Sequence, residues 1–437
     1  MKKVLPILLA LLIVFATGCS KNNAPVDQAP VDQSLVPSEQ PSSTSTPSGE
    51  KVALTFGLWD ANRVDAYNAV IKKFNEANPN IEVKIELTPW EQYWMKMEAA
   101  GTGGVMPDIL WMNGPNFIKY ASNDVIQPLS SQIKASGLDM NNYPKALVDL
   151  YTYNNESYAI PIDFDTIGLW YNKKLFDEAN MAYPDESWDW AKFKDAALKL
   201  TNASAGIYGF TADLWGQGGY YNTIYQNGGY VISDDKKKSG YDLPETIEGL
   251  KFWTDMIAQK ISPTAAQLSE TPGVTMFESG KSAMYYGGSW IQAQFAKNDA
   301  IKDIVDVTVL PKGKQKATII HGLGVAMSAN TKHPAEVWKF IEFMSSKESH
   351  EILGSSGTMI PAFNGSQEAW IKSTPNFNLK SYIDAAQDAV PLPSSQNSAK
   401  WQDKEWELFS KAWAEQITIE DAAKELTEFM NNALQEE

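Results

Sequence analysis

One cysteine, one arginine and three histidines are all that this chain of 437 residues offers of the side chains that most often carry disulfides, anion clamps and metal sites. Cys19 alone cannot close an intrachain disulfide, and His321, His333 and His350 show no close ligand spacing with it or with each other. That argues against a structural zinc site and a thiol protease, and no metal or cofactor is expected. A carboxylate or phosphate ligand ordinarily calls for Arg or Lys partners, and the candidate binding loops carry almost none besides Arg63, which stands at the start of the first helix where it can equally be solvated. No glycine cluster has Walker spacing, and the run Ser233-Asp234-Asp235-Lys236-Lys237-Lys238 lacks the ligand order of an EF-hand loop. With a formal net charge of -16 and no basic patch, nucleic acid and anionic lipid surfaces are poor partners.

What is present begins with an N-terminal segment that should not be folded into a domain. Met1-Lys2-Lys3 is basic, Leu5 to Phe15 is almost wholly apolar but short for a spanning helix, and Ala16-Thr17-Gly18 precede Cys19. This order resembles the lipobox of bacterial lipoproteins, with Ala16 where Leu is more usual, and implies a signal peptide over residues 1–18 and lipidation at Cys19. A plain signal peptide or an uncleaved anchor is the alternative. Ser20 to Glu50 has no aromatic residue and is dense in Ser, Pro, Gln and Thr, so residues 19–50 read as a lipidated cysteine and a disordered tether. Such a tether spans roughly 30 Å on average. The remaining residues are too many for one ordinary core, and two domains are expected.

Lys51 to Glu86 holds a complete β-loop-α-β unit. Val52, Leu54 and Phe56 alternate with Ala53 and Thr55; Ala66, Ala69, Val70 and Phe74 follow at helical spacing; Ile81, Val83 and Ile85 alternate again. Its first loop opens at the carboxyl edge of the sheet, where open α/β proteins place ligands, and carries Trp59 and Asp60. An indole beside a carboxylate suits a polar ligand with an apolar face. Equally, Trp59 can cap the sheet and Asp60 or Asn62 the helix. Downstream, Glu91 to Ala99 reads as a helix stopped by the run Gly101 to Gly104, and Pro107 to Met112 as a buried strand that ends at Asn113. Two extended pieces around Pro161 suggest a crossing between domains near Ile162, followed by Asp163 and Asp165. Glycine-rich turns place Trp215 in a loop, and Gly287-Gly288-Ser289-Trp290 is an edge turn after a short strand. Trp188, Trp190, Trp253 and Trp338 read as packing residues; the aromatics of the C-terminal stretch, Trp401, Trp406, Phe409 and Trp413, read as helix packing, with one of them lining a long cleft as the alternative.

The order of these pieces, with GTGGVMPDIL, YAIPIDFDTIGLWYNKKLFDEAN, SWDWAKFKDAALKL, MFESGKSAMYYGGSW, VTVLPKGKQKA and HGLGVAMSANTKHPAEVWKFIEFMSS, resembles the extracellular solute-binding proteins of carbohydrate ABC importers, the cluster that includes maltose-binding protein. The resemblance covers essentially everything after Glu50. It implies an α/β fold of two discontinuous lobes joined by a multi-segment hinge, periplasmic-binding-protein-like of class II, with the ligand in the cleft between them. Mapped on this chain, residues 51–162 plus 310–356 form the first lobe and residues 163–309 plus 357–437 the second. It further implies a monomer that binds a neutral oligosaccharide, passes it to ABC permease subunits, is not an enzyme, and sits on the outer face of the bacterial cell membrane through its lipid alone. Trp290 with Ser289 is the leading ligand contact, followed by Trp59, Asp60, Asn113, Asp163, Asp165, Trp215 and His321. Asp163 and Asp165 also suit the acid and base of a surface glycoside hydrolase, which is the alternative reading; a non-catalytic adhesion protein is the third.

Overall fold

Alternation along Val52–Leu58 puts Leu54, Phe56 and Leu58 on one buried face, and the same period in Ile81–Leu87 buries Ile81 and Val83 while Glu82 and Lys84 face solvent. The helix Val64–Ala77 between them buries Ala66, Tyr67, Val70, Ile71 and Phe74 at helical spacing, so the two strands pair in parallel from Val52 beside Ile81 to Leu58 beside Leu87. The structure, a computed structural model, describes residues 51–437. The expected signal segment, Cys19 and the tether lie outside the described residues. The next helix is longer than its pattern suggests, Trp90–Gly103. It runs through two glycines and stops only at Gly104, whose φ of 68° is left-handed and whose N–H bonds Ala100 O. Glycine inside a helix costs about 1 kcal/mol, which weakens it without ending it.

Five strands make the first sheet, in spatial order Ile81–Leu87, Val52–Leu58, Ile109–Met112, Gly324–Met327 and Ala159–Pro161. The first three are parallel, and Gly324–Met327 runs antiparallel to both its neighbours. Four strands make the second sheet, in the order Val305–Val309, Ile167–Asn172, Ser282–Gly288 and Tyr208–Phe210. Val305–Val309 is an edge strand there, so the chain regains the first sheet only at Gly324.

Between the sheets lie two short ladders. Asp163–Phe164 pairs antiparallel with Ile360–Pro361, and Thr318–Ile320 pairs parallel with Ala389–Pro391. Ile162 is the point where three segments meet: its N–H donates to Leu323 O at 2.8 Å and its carbonyl accepts from Ala362 N at 2.9 Å. Gly322 is required at this crossing, because a Cβ there would collide with the Asp163 backbone. One apolar core runs from beneath the first sheet through Ile162, Phe164 and Ile360 to one face of the second sheet. Another fills that sheet's opposite face, against the helices Pro244–Ala258, Ser398–Trp413 and Ile419–Gln435. The carboxyl ends of Val52–Leu58, Ile109–Met112, Tyr208–Phe210 and Ser282–Gly288 thus deliver Trp59, Asn113, the Trp215 loop and Trp290.

Candidate ligand-binding site

Every candidate from the sequence lies on or beside one continuous run of contacts that crosses from the first sheet to the second. It starts at Asp60, whose Oδ1 accepts from Asn62 N at 2.9 Å, so the helix-capping role holds, and whose Oδ2 lies 3.4 Å from Arg63 Nε. Arg63 is not solvated. Its guanidinium pairs through Nη1 with Asp163 Oδ2 and sits 5.6 Å over the Trp111 ring. Asp163, almost fully buried, also accepts from Leu323 N through Oδ1 at 2.7 Å.

Two residues on, Asp165 Oδ1 accepts from Gln217 Nε2 at 2.7 Å, and Oδ2 faces His321 Nδ1 at 3.5 Å. The far side of His321 fixes its tautomer: Gly114 N–H donates to Nε2 at 3.2 Å, so the proton of the neutral ring belongs on Nδ1, toward Asp165. Burial pushes the Asp165 carboxyl above its ordinary range and the His321 hydrogen bond pulls it back. Asn113, next to Gly114, is buried and caps the helix Gly114–Ser122 by accepting from Asn116 N at 3.2 Å and from Asn116 Nδ2 at 2.9 Å. Its carbonyl oxygen is therefore engaged inside the protein.

On the second sheet, Gln217 belongs to the turn that follows Trp215, and the Trp215 indole meets Trp290 edge to face, with centroids 5.7 Å apart and planes at 68°. Each indole lies back over a glycine. A Cβ on Gly218 would occupy the space of the Trp215 ring, and one on Gly288 that of the Trp290 ring. The glycines thus leave room for both rings close against the backbone, and Trp290 remains 36% exposed. Ser289 is buried, its N–H bonding Thr166 O at 3.2 Å.

Trp59 is the hub of an aromatic cluster, with Trp90, Tyr93, Trp94 and Trp111 at centroid distances of 5.3, 4.9, 5.8 and 4.8 Å. It is partly buried, and its neighbour Trp90, 48% exposed, is the ring of this cluster that faces water most. Sequence reasoning missed Trp90, Gln217 and the engagement of Arg63. Pro89-Trp90 at the turn after a second parallel strand was an available signal, whereas the Gln217 and Arg63 contacts join residues 52 and 100 positions apart and leave none. Of the C-terminal aromatics, Trp401, Phe409 and Trp413 pack as expected, and Trp406 does not, being 58% exposed.

Two sheets whose carboxyl edges each carry indoles, joined by short ladders bearing two engaged carboxylates, make up the lobes of a two-lobe solute-binding protein. The chain belongs to the bacterial extracellular solute-binding protein family, whose profile matches residues 60–351. It is similar to the maltotriose-binding protein of Pyrococcus abyssi, 25% identical over 297 residues that cover 65% of this chain and 60% of the other. It is also similar to a maltooligosaccharide ABC transporter solute-binding lipoprotein of Streptococcus pneumoniae, 24% identical, covering 70% and 71%. Among solved structures, the ABC substrate-binding protein Lmo0181 from Listeria monocytogenes in complex with cycloalternan superposes with a TM-score of 0.81 at 26% identity, over 88% of this chain and all of that one. The GacH receptor of Streptomyces glaucescens superposes at 0.76 with 20% identity, over 89% and 99%, and shares the fold.

The Arg63–Asp163 pair generates a prediction. Removing one member of a buried ion pair strands the other charge, at a cost of about 3–5 kcal/mol, whereas an apolar replacement of both is far milder. Asp163→Asn should lower the unfolding free energy in urea by about 3 kcal/mol, and Arg63→Met with Asp163→Leu should recover much of the loss. A single variant as stable as the parent would show that the pair carries no buried charge.

Proposed function

We propose that this protein captures a neutral oligosaccharide between its lobes and delivers it to an ABC permease. The observation that carries the reading is the Trp215–Trp290 pair, rings laid on glycine backbone at the carboxyl edge of the second sheet, across a hinge from Trp59, Trp90 and Asp60. Indoles cover the C–H faces of sugar rings while polar side chains take the rim hydroxyls. The sugars named for the relatives support the class. So does the engagement of the one arginine, which leaves it unavailable as a clamp for an acidic sugar. The lobes are built on the two sheets, the first on residues 51–162 with the segment that re-enters at Gly324, the second on residues 163–309 with the helices Ser398–Trp413 and Ile419–Gln435, and a sugar touching both favours the closed arrangement.

A glycoside hydrolase reading is disfavoured by the same geometry. Asp163 is spent on Arg63 and Leu323 N–H, and Asp165 on Gln217 and His321, so neither carboxyl is free to serve as acid or base. The protein works as a monomer outside the cell, held by lipid on Cys19 and a tether of about thirty residues, and meets the membrane through that lipid and the permease alone.

Trp290→Ala should remove a stacking face and weaken oligosaccharide affinity by about 2 kcal/mol, roughly thirty-fold, in titration calorimetry, while urea melts stay close to wild type because the ring is already partly exposed. Unchanged affinity would remove Trp290 from the site. Chromatography of the incubated sugars should show no products, and turnover would restore the hydrolase. For the anchor, Cys19→Ala should shift the protein from the membrane fraction to the medium in cells that process lipoproteins; undiminished membrane retention would contradict it.

A further inference from the structure

Beside the Trp215 loop lies a cavity of about 10 Å³, the space of one water-sized species, walled by Thr211, Asp213, Trp215, Trp253, Tyr285 and Tyr286. The strand Tyr208–Phe210 ends directly before Thr211, and its parallel neighbour Ser282–Gly288 supplies both tyrosines. Three of these side chains bring oxygens that are buried and unpaired. Among the described residues, Thr211 Oγ1, Asp213 Oδ2 and Tyr286 Oη find no hydrogen-bond partner, and Thr211 and Tyr286 are only 1% and 2% exposed. Buried polar atoms in folded proteins nearly always have a partner, so three orphans on the wall of one small cavity point to an occupant.

Asp213 is held in place without being neutralised. Its Oδ1 accepts from Gly273 N at 3.0 Å. A Cβ on Gly273 would strike both Asp213 Oδ2 and Thr211 Oγ1, so these two oxygens converge on one point and the glycine leaves them the room. Gly273 N–H and the nearby Thr211 hydroxyl both favour the charged carboxyl, but burial outweighs them and pushes the group up to about 6. No lysine, arginine or histidine stands among the residues that act on it or line the cavity. At neutral pH the carboxylate is therefore buried with one N–H bond and no counter-charge, an arrangement that costs free energy until a cation supplies it.

The size and chemistry of the cavity select the cation. A water would satisfy the three oxygens and leave the charge uncompensated. A divalent ion calls for several carboxylates, and among the described residues no group of three or more acidic, histidine or cysteine side chains converges anywhere. An organic ammonium group exceeds the volume. A monovalent metal ion fits the space, takes carboxylate and hydroxyl oxygens as ligands, and is favoured by walls of indole and phenol rings. We propose that Asp213, Thr211 and Tyr286 bind a monovalent metal cation, sodium or potassium, and that its occupancy fixes the Trp215 loop. Two of the ligands open that loop, and its ring both walls the cavity and meets Trp290. The cation site goes beyond the sugar-binding reading; its effect on sugar affinity rests on that reading.

The test begins without sugar, by calorimetric melts of the full chain in sodium, potassium or choline chloride at one ionic strength. Sodium or potassium should raise the melting temperature over choline by about 2–4 °C. Asp213→Asn should erase the difference and Thr211→Val should shift it to higher salt. Equal melts in all three salts would overturn the site and leave a buried water, and a difference that survives in Asp213→Asn would place the ion elsewhere and overturn it too. Should both variants fail to fold, wild-type crystals grown in thallous acetate decide: an anomalous peak beside Asp213 Oδ2 sustains the site, and none overturns it. Titration of an oligosaccharide that binds should then show at least threefold tighter affinity in the stabilising salt than in choline. Equal affinity would overturn the coupling and leave the cation site standing, whereas absence of any sugar binding would overturn the coupling together with the reading it rests on.

Discussion

The arrangement depends on one buried ion pair. Arg63, the sole arginine, stands at the start of the first crossover helix, and its partner Asp163 stands on the strand that leaves the first sheet. Two charges taken out of water are favourable only when geometry and further hydrogen bonds compensate each. The charge of Asp60 at 3.4 Å from Nε and the Trp111 face under the guanidinium favour Arg63, and Leu323 N–H on Oδ1 favours Asp163. The pair therefore fixes where the crossing strand leaves the first sheet relative to the loop bearing Trp59. Asp165, two residues further, is then in reach of His321, Gln217 and the second sheet. A charge that looked like a solvated helix-start residue is a structural pin.

From that pin the proposed binding surface follows by ordinary backbone chemistry. Strand ends deliver indoles, and glycines decide which way the indoles lie. Gly218 and Gly288 leave the space that the Trp215 and Trp290 rings occupy, which any Cβ at those positions would fill. Rings placed in this way lose little freedom when a ligand arrives, which is the preorganisation that lets a site built of stacking and neutral hydrogen bonds hold a sugar without a buried charge pair.

Local pattern made the α/β units legible: period two in Val52–Leu58 and Ile81–Leu87, helical spacing in Val64–Ala77, and the glycine turn before Trp290 all have short-range causes. The order of such pieces carried the two-lobe fold. What escaped was set by tertiary contact. The helix beginning at Trp90 outran its glycines because packing of Tyr93 and Met97 outweighs propensity. Arg63 and Asp163 are 100 residues apart, and no spacing rule pairs them. Trp401, Trp406, Phe409 and Trp413 share one helix, and only the fold decides that three turn inward and one does not.

The central claim is that sugar bound between the two aromatic edges draws the lobes together about the ladders at Asp163 and Thr318. Small-angle X-ray scattering of the protein with and without a saturating oligosaccharide tests it most directly. The account predicts a smaller radius of gyration with sugar, and no change when Trp290→Ala is measured at a concentration that saturates only the wild type. An unchanged radius for the wild type under saturating ligand would contradict it.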